Sequence, residues 1–193
     1  MMATMANRQV LTEVLGGDKA LRQALLVVAG VAALTLAAKL RVPMWPVPMT
    51  LQTLVVLLIG TTYGARLGLL TLLGYIALGA AGVAVFAGDS AGLAYLAGPT
   101  AGYLVGFALA AALMGQMARR GLDRSAGSMA LMMLAGSGVI YAFGLAWMAM
   151  LFGADKGLAW VLQYGMVNFL AGDLIKLAIA ALLVPGLWKL TRR

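Results

Sequence analysis

The chain has 193 residues, 63% of them hydrophobic, and its mean hydropathy is +0.98. Charged residues make up 10%, against roughly 25% in a soluble domain, so this is the composition of a polytopic helical membrane protein in one domain. The absence of Cys and His excludes disulfides, thiol chemistry and Cys/His metal sites, and the net charge of +8 has to be tested as a topology signal before it is read as affinity for nucleic acid.

A membrane-spanning helix needs about 20 apolar residues, and charges and prolines cut the chain into six such segments. The basic, apolar N-terminus imitates a signal peptide, but Lys39 and Arg41 follow the run and five more apolar segments come after them, which favours a retained first helix. That helix is expected over 21–40, with Arg22 and Lys39 snorkelling at its ends. Pro43, Pro46 and Pro48 then rule out helix interior and predict an extended loop before segment two, 49–63. Segment three is expected over 66–86, followed by the glycine-rich loop "AGDSAGLAYLAG". Pro99 suits the first turn of segment four, 99–117. Segments five and six are expected over 129–152 and 158–187, with Trp160 and Trp188 as interfacial anchors near opposite ends of the last. The sum is an all-α fold, a six-helix membrane bundle forming one domain over 1–193.

With both termini in the cytoplasm, the cytoplasmic side carries Arg8, Lys19, Arg22, Arg66, Arg119, Arg120, Arg124, Lys189, Arg192 and Arg193, and the outer side Lys39, Arg41 and Lys156. Ten against three obeys the positive-inside rule. Topology therefore accounts for the net charge, and no nucleic-acid partner is needed. No P-loop motif is present, so any energy for transport must come from another protein.

The stretch "GDLIK", 172–176, places Asp173 and Lys176 inside the last apolar segment. Each charge near a helix centre costs about 2.5–3.5 kcal/mol to insert. At i and i+3 the two share a helix face, either as a packing pair or as a polar ligand site. A carboxylate accepts from N–H groups and an ammonium donates to a carbonyl, so together they suit a ligand with both. Thr50, Gln52 and Thr53 bring further polar groups to the start of segment two. Thr50 is either a helix cap or a ligand contact, whereas Gln52 carries an amide that needs a partner in lipid. Gly98, Gly102 and Gly106 have the four-residue spacing of close helix packing, and Tyr103 beside them belongs to a pocket or to the aromatic belt. Gly60, Gly64 and Gly68 form a second row, with Gly64 expected in the turn before segment three. Ala29, Ala33 and Ala37 form a third, suited to contacts within the bundle or to docking another membrane protein, and Asn168 lies about 140° round an ideal helix from Asp173.

"VPMTLQTL", "YIALGAAGVAVFAG", "GPTAGYLVGF" and "GDLIK" occur in this order and spacing. They resemble the BioY family, the biotin-specific substrate-capture (S) components of energy-coupling factor (ECF) vitamin importers, over about residues 20–190. The resemblance implies six membrane helices in the bacterial inner membrane, with biotin held near the outer face under the first loop. It implies no cofactor and no enzymatic activity; a transmembrane coupling subunit and cytoplasmic ABC ATPases are the implied partners. It further implies that Asp173 and Lys176 address the ureido ring, that Gln52 and Tyr103 help line the pocket, and that Ala29 and Ala33 face the coupling subunit, although Ala20 and Ala24 have the same spacing. The loop "AVFAGDSAG" departs from the more usual "PVFAGG", and Asp89 is unusual near a carboxylate tail. A homo-oligomer is compatible with the same sequence. Two rivals are an ion-coupled secondary carrier using Asp173, which shows no internal repeat, and a small membrane enzyme, for which the chain is poorly supplied with catalytic groups.

Overall fold

The computed structural model describes residues 9–14, 18–88 and 90–191. Arg8, Asp89, Arg192 and Arg193, used in the charge count and the loop reading above, lie outside the described residues. Asp18 caps the first long helix, α1 (Lys19–Lys39), by accepting from the Leu21 amide. The prolines then lie in a non-helical loop that bends at 45–47. Arg41–Val42 (β1) pairs antiparallel with Met49–Thr50 (β2), Arg41 opposite Thr50, so the loop between them is pinned at its base. Helix α2 (Gln52–Tyr63) stops at Gly64, whose φ of 83° turns the chain straight into α3 (Ala65–Ala80), a conformation that glycine adopts without a Cβ penalty.

Segment three is shorter as a helix than the expected 66–86. Helix α3 ends at Ala80; 81–88 and 90–92 are non-helical, and a single turn follows at Leu93–Leu96. Phe86 belongs to the first of these stretches, where it is fully buried, stacked on Tyr95 and edge-on to Tyr75. Its ring occupies the space a side chain on Gly79 would need. Helix α4 (Ala101–Arg119) follows two residues after Pro99. Ser125 caps the 31-residue α5 (Ala126–Lys156), and Gly157 at φ 79° ends it. Segment six is broken. Helix α6 (Leu158–Gly165) ends at Met166, a 3-10 turn covers Val167–Phe169, and α7 runs Leu170–Thr191.

Among the described residues, four stretches are long and apolar enough to cross a membrane: α1, α4, α5 and the run Leu158–Thr191. At 1.5 Å per residue, α2 and α3 reach only about 18 and 24 Å. Helix α4 is the centre of the bundle, packed on α2, α3 and α5. Glycine makes this packing close. A Cβ on Gly102 or Gly106 would run into α5 at Phe143–Trp147 and at Ile140, one on Gly60 would overlap the Ala111 backbone, and one on Gly115 the backbone of Gly64 and Ala65. Gly98 differs: it precedes the helix, and its carbonyl accepts from Trp147 Nε1.

The chain passes back and forth so that both ends of the described chain meet at one end of the bundle. There Glu13 pairs with Arg119 at 2.7 Å, Thr12 donates to the Thr62 carbonyl, and Arg124 donates to the Gln9 carbonyl. Trp188, expected as an interfacial anchor, is buried at this end instead. It donates to the fully buried Asp123, and the Arg124 guanidinium lies 3.5 Å over its ring. Burial pushes the Asp123 carboxyl above its ordinary range, against the opposing pull of Trp188 and Arg124. The proline loop lies at the other end. Trp160 is there in an aromatic cluster with Trp45, Phe152 and Tyr164.

Because the atoms Gly115 meets are backbone, they cannot swing aside. Gly115→Val is expected to cost on the order of 1–3 kcal/mol by overpacking and to lower the unfolding midpoint in detergent by several degrees. Gly138→Val, where a Cβ meets nothing within 4 Å, is the control, since both positions lie in a helix interior and carry the same helix-propensity change.

Candidate functional site

The break at Met166 positions the site. Because α7 restarts at Leu170, Asp173 falls in the first turn of a helix, where the helix dipole favours a carboxylate. The sequence pattern alone would place it mid-helix, the worst location. The interruption leaves the Gly165 carbonyl free to accept from the Tyr103 hydroxyl at 2.7 Å, so the backbone group released by the break is satisfied inside the bundle.

Lys176 follows one turn later and is buried, and its Nζ lies 2.9 Å from Asp173 Oδ1. The pair does not stand alone. Lys176 also donates to Thr53 Oγ1 at 2.9 Å, Thr53 donates to Asp173 Oδ1 at 3.4 Å, and the Tyr141 hydroxyl makes a short hydrogen bond to Asp173 Oδ2. Three helices, α2, α5 and α7, thus supply one network around two opposite charges. Among the described residues no buried side-chain nitrogen or oxygen lacks a partner.

Beside this network is a cleft of about 60 Å³, lined by Thr50, Gln52, Thr53, Tyr103, Tyr141, Asp173 and Lys176 among others. Its apolar wall is Leu104, Phe107, Ile140 and Phe169, and its cover comes from Val47, Pro48 and Met49 of the proline loop, Ala87 and Tyr95. All five residues picked from the sequence as a polar site therefore meet in one place. Thr50 lines the cleft; it lies in β2 rather than at the cap of α2, which is Leu51, and its Oγ1 accepts from the Gln52 backbone N–H at 3.2 Å. Tyr103 belongs to the cleft wall. Asn168 is not part of the site; it accepts from Gln163. Ala29 is exposed, Ala33 half-buried and Ala37 buried, while Ala20 and Ala24 are exposed.

Sequence reading missed two members. Tyr141 reaches Asp173 from 32 residues away, and nothing in the apolar run of α5 marks it. Tyr75 is a hub. Gln52 Nε2 donates to its hydroxyl at 2.8 Å, and that hydroxyl donates to the Val85 carbonyl at 2.9 Å. One phenol therefore fixes the cleft amide and ties the 81–88 stretch to the bundle. The signal was the demand itself, because a buried amide requires a partner somewhere.

These features define a class: a multi-pass membrane protein with a polar cleft between its helices near one end. The BioY family model matches residues 5–193, and the chain belongs to the BioY family. It is 39% identical over 162 residues to a probable biotin transporter BioY of Pyrococcus horikoshii, covering 84% of this chain and 93% of that protein. It is 38% identical over 167 residues to the biotin transporter BioY of Thermotoga maritima, covering 86% and 96%. The fold matches the crystal structure of the S-component for biotin from an ECF-type ABC transporter, with a TM-score of 0.78 and 23% identity over 91% of this chain and 95% of that one. The family is one of transport proteins, not of enzymes.

Tyr75→Phe removes both hydrogen bonds at the hub and leaves an amide and a carbonyl short of partners, at about 1–3 kcal/mol per buried group. The expected result is a lower unfolding midpoint in detergent. An unchanged midpoint would mean that Gln52 and Val85 do not depend on this phenol.

Proposed function

We propose that this chain is the biotin-capturing S component of an ECF importer, a single membrane domain in the bacterial inner membrane. The observation that carries the reading is the Asp173–Lys176 pair lining a cleft at the proline-loop end. A fused ureido ring displays two N–H donors and one carbonyl. Asp173 accepts from the ring nitrogens and Lys176 donates to the ring oxygen, and Thr53 and Tyr141, already bonded to the pair, hold both groups in register. Gln52 and Thr50 complete the polar side. The thiophane ring and alkyl chain lie against Tyr103, Phe107, Ile140 and Phe169, as an apolar ligand surface requires.

The chain crosses the membrane six times with both termini cytoplasmic. Charge supports this orientation: Lys19, Arg22, Arg66, Arg119, Arg120, Arg124 and Lys189 gather towards one end, and Lys39, Arg41 and Lys156 towards the other. The shortness of α2 and α3 is compatible with six crossings, because non-helical backbone at membrane depth is tolerated where it lines a cavity, and Val47, Pro48 and Met49 of the proline loop and Ala87 line the cleft. ATP is hydrolysed by ABC ATPase partners and the work is transmitted by a transmembrane coupling subunit, which meets the outward part of α1 at Ala29 and Ala33.

Removing one member of a buried, hydrogen-bonded charge pair costs about 2–5 kcal/mol in binding. Asp173→Asn and Lys176→Met are therefore each expected to weaken labelled-biotin binding by about thirtyfold or more, in protein that remains monodisperse by size exclusion. Undiminished affinity in both would remove the pair from the site.

Val47, Pro48 and Met49 of the proline loop, with Ala87 and Tyr95, cover the cleft, so ligand entry is expected to move them. Hydrogen exchange is expected to be fast at 43–48 and 85–96 without biotin and to slow on its addition, while the middle of α4 stays protected throughout. Equal exchange in both states would show that ligand enters without moving the cover.

A further inference from the structure

We infer that a second cleft, at the opposite end of the bundle between α1 and α3, binds the phosphate headgroup of an anionic glycerophospholipid. It measures about 330 Å³ and is lined by Lys19 and Arg22 of α1, Arg66 of α3, Arg119 of α4 and the Tyr63 ring of α2, with Glu13 at one side. The positive-inside rule accounts for basic residues at this end, but it does not require them to line one cavity. Their placement also runs against the local helix field. Lys19 and Arg22 lie in the first turn of α1 and Arg66 in the first turn of α3, and neither turn holds an acidic residue. A helix N-terminus favours anions and disfavours cations, so two positive helix ends and three cations converge on the same space. Glu13 is the carboxylate that lines it among the described residues, and it pairs with Arg119. Asp18, next to Lys19 in the chain, caps α1 through the Leu21 amide and does not line the cleft. The cavity thus carries net positive charge, which an anion would offset.

Phosphate chemistry is common to a lipid headgroup and to free phosphate, and the walls favour the lipid. Leu26, Leu67 and Leu70 line the cleft below the cations. Leu70 and Leu73 on α3 and Leu25 and Val28 on α1 are exposed. An acyl chain leaving the cleft therefore finds a continuous apolar surface in the direction of the bilayer core. Basic pockets between membrane helices bind anionic headgroups in this manner.

The test uses the full chain in nanodiscs of equal parts phosphatidylglycerol and phosphatidylcholine, then native mass spectrometry of the lipids it retains in detergent. Wild type is expected to keep phosphatidylglycerol in preference to phosphatidylcholine. Lys19→Gln with Arg66→Gln is expected to cut that preference by about thirtyfold, at the strength of two basic contacts with an anionic membrane. Arg120→Gln, at the same end but outside the cleft, is expected to leave it unchanged. Because the double variant can fail to fold, unfolding midpoints of wild type are also read with added phosphatidylglycerol and with millimolar inorganic phosphate. A rise with the lipid alone supports the headgroup. A rise with inorganic phosphate alone overturns the lipid assignment in favour of soluble phosphate. No preference and no rise, or an equal loss in Arg120→Gln, overturns the site and points to an acidic protein partner or to diffuse charge. Biotin affinity should be the same in all these variants, which separates this result from the reading of the cleft at the other end.

Discussion

Two charges removed from water must find a whole solvation shell inside the protein, and much of this structure follows from that demand. Asp173 and Lys176 lie on one turn of α7, but a pair alone leaves lone pairs and protons unmatched. Thr53 from α2 and Tyr141 from α5 complete the set, so the network locks three helices together at one level. The break at Met166 contributes twice. It brings a helix start close to the carboxylate, and it frees the Gly165 carbonyl that Tyr103 then engages. A packing pair with no further role would be matched by apolar side chains of similar volume. The many elements that converge here make more sense if part of the shell is exchanged for a ligand.

The cover has the same economy. Helices α2 and α3 stop short, and beyond them the β1–β2 loop and the buried Val85, Phe86 and Ala87 take the place of more helix. Tyr75 connects the two layers, since its hydroxyl bonds both Gln52 in the cleft and Val85 in the loop. Lys39 adds a second tie by donating to the carbonyls of Phe86 and Gly88. The opposite end is held by the clasp of Asp123, Arg124 and Trp188 and by the Glu13–Arg119 pair. Motion at the cleft can therefore occur in loops while the bundle beneath keeps its packing.

What was legible in the sequence follows from what lipid penalises. Charges, amides and prolines inside apolar runs are costly enough to stand out, so Asp173, Lys176, Gln52 and the proline loop could be found without coordinates. The glycine rows were legible for a related reason, because close helix approach needs small residues, and Gly102, Gly106 and Gly60 pack as the spacing implies. Tyr141 and Tyr75 were not legible. A tyrosine is at home in any membrane helix, and its partner here is fixed by tertiary contact rather than local pattern. The helix break was hidden as well, since the run through Met166 has no proline, and Gln163, Gly165 and Asn168 interrupt its apolar character without marking a break. Trp188 misled in the opposite direction. Its place near a helix end fits an interfacial anchor, and the buried aspartate that claims it is 65 residues away.

Helix α5 carries a separate implication. Its 31 residues extend about 46 Å, well beyond a hydrocarbon core of about 30 Å, whereas α2, which touches it, and α3 fall short of that core. A bundle of such unequal staves cannot present a level rim to the bilayer. Lipids along its perimeter must stretch on one side and thin on the other, or α5 must lean, so the thickness of the surrounding membrane becomes a mechanical load on the protein.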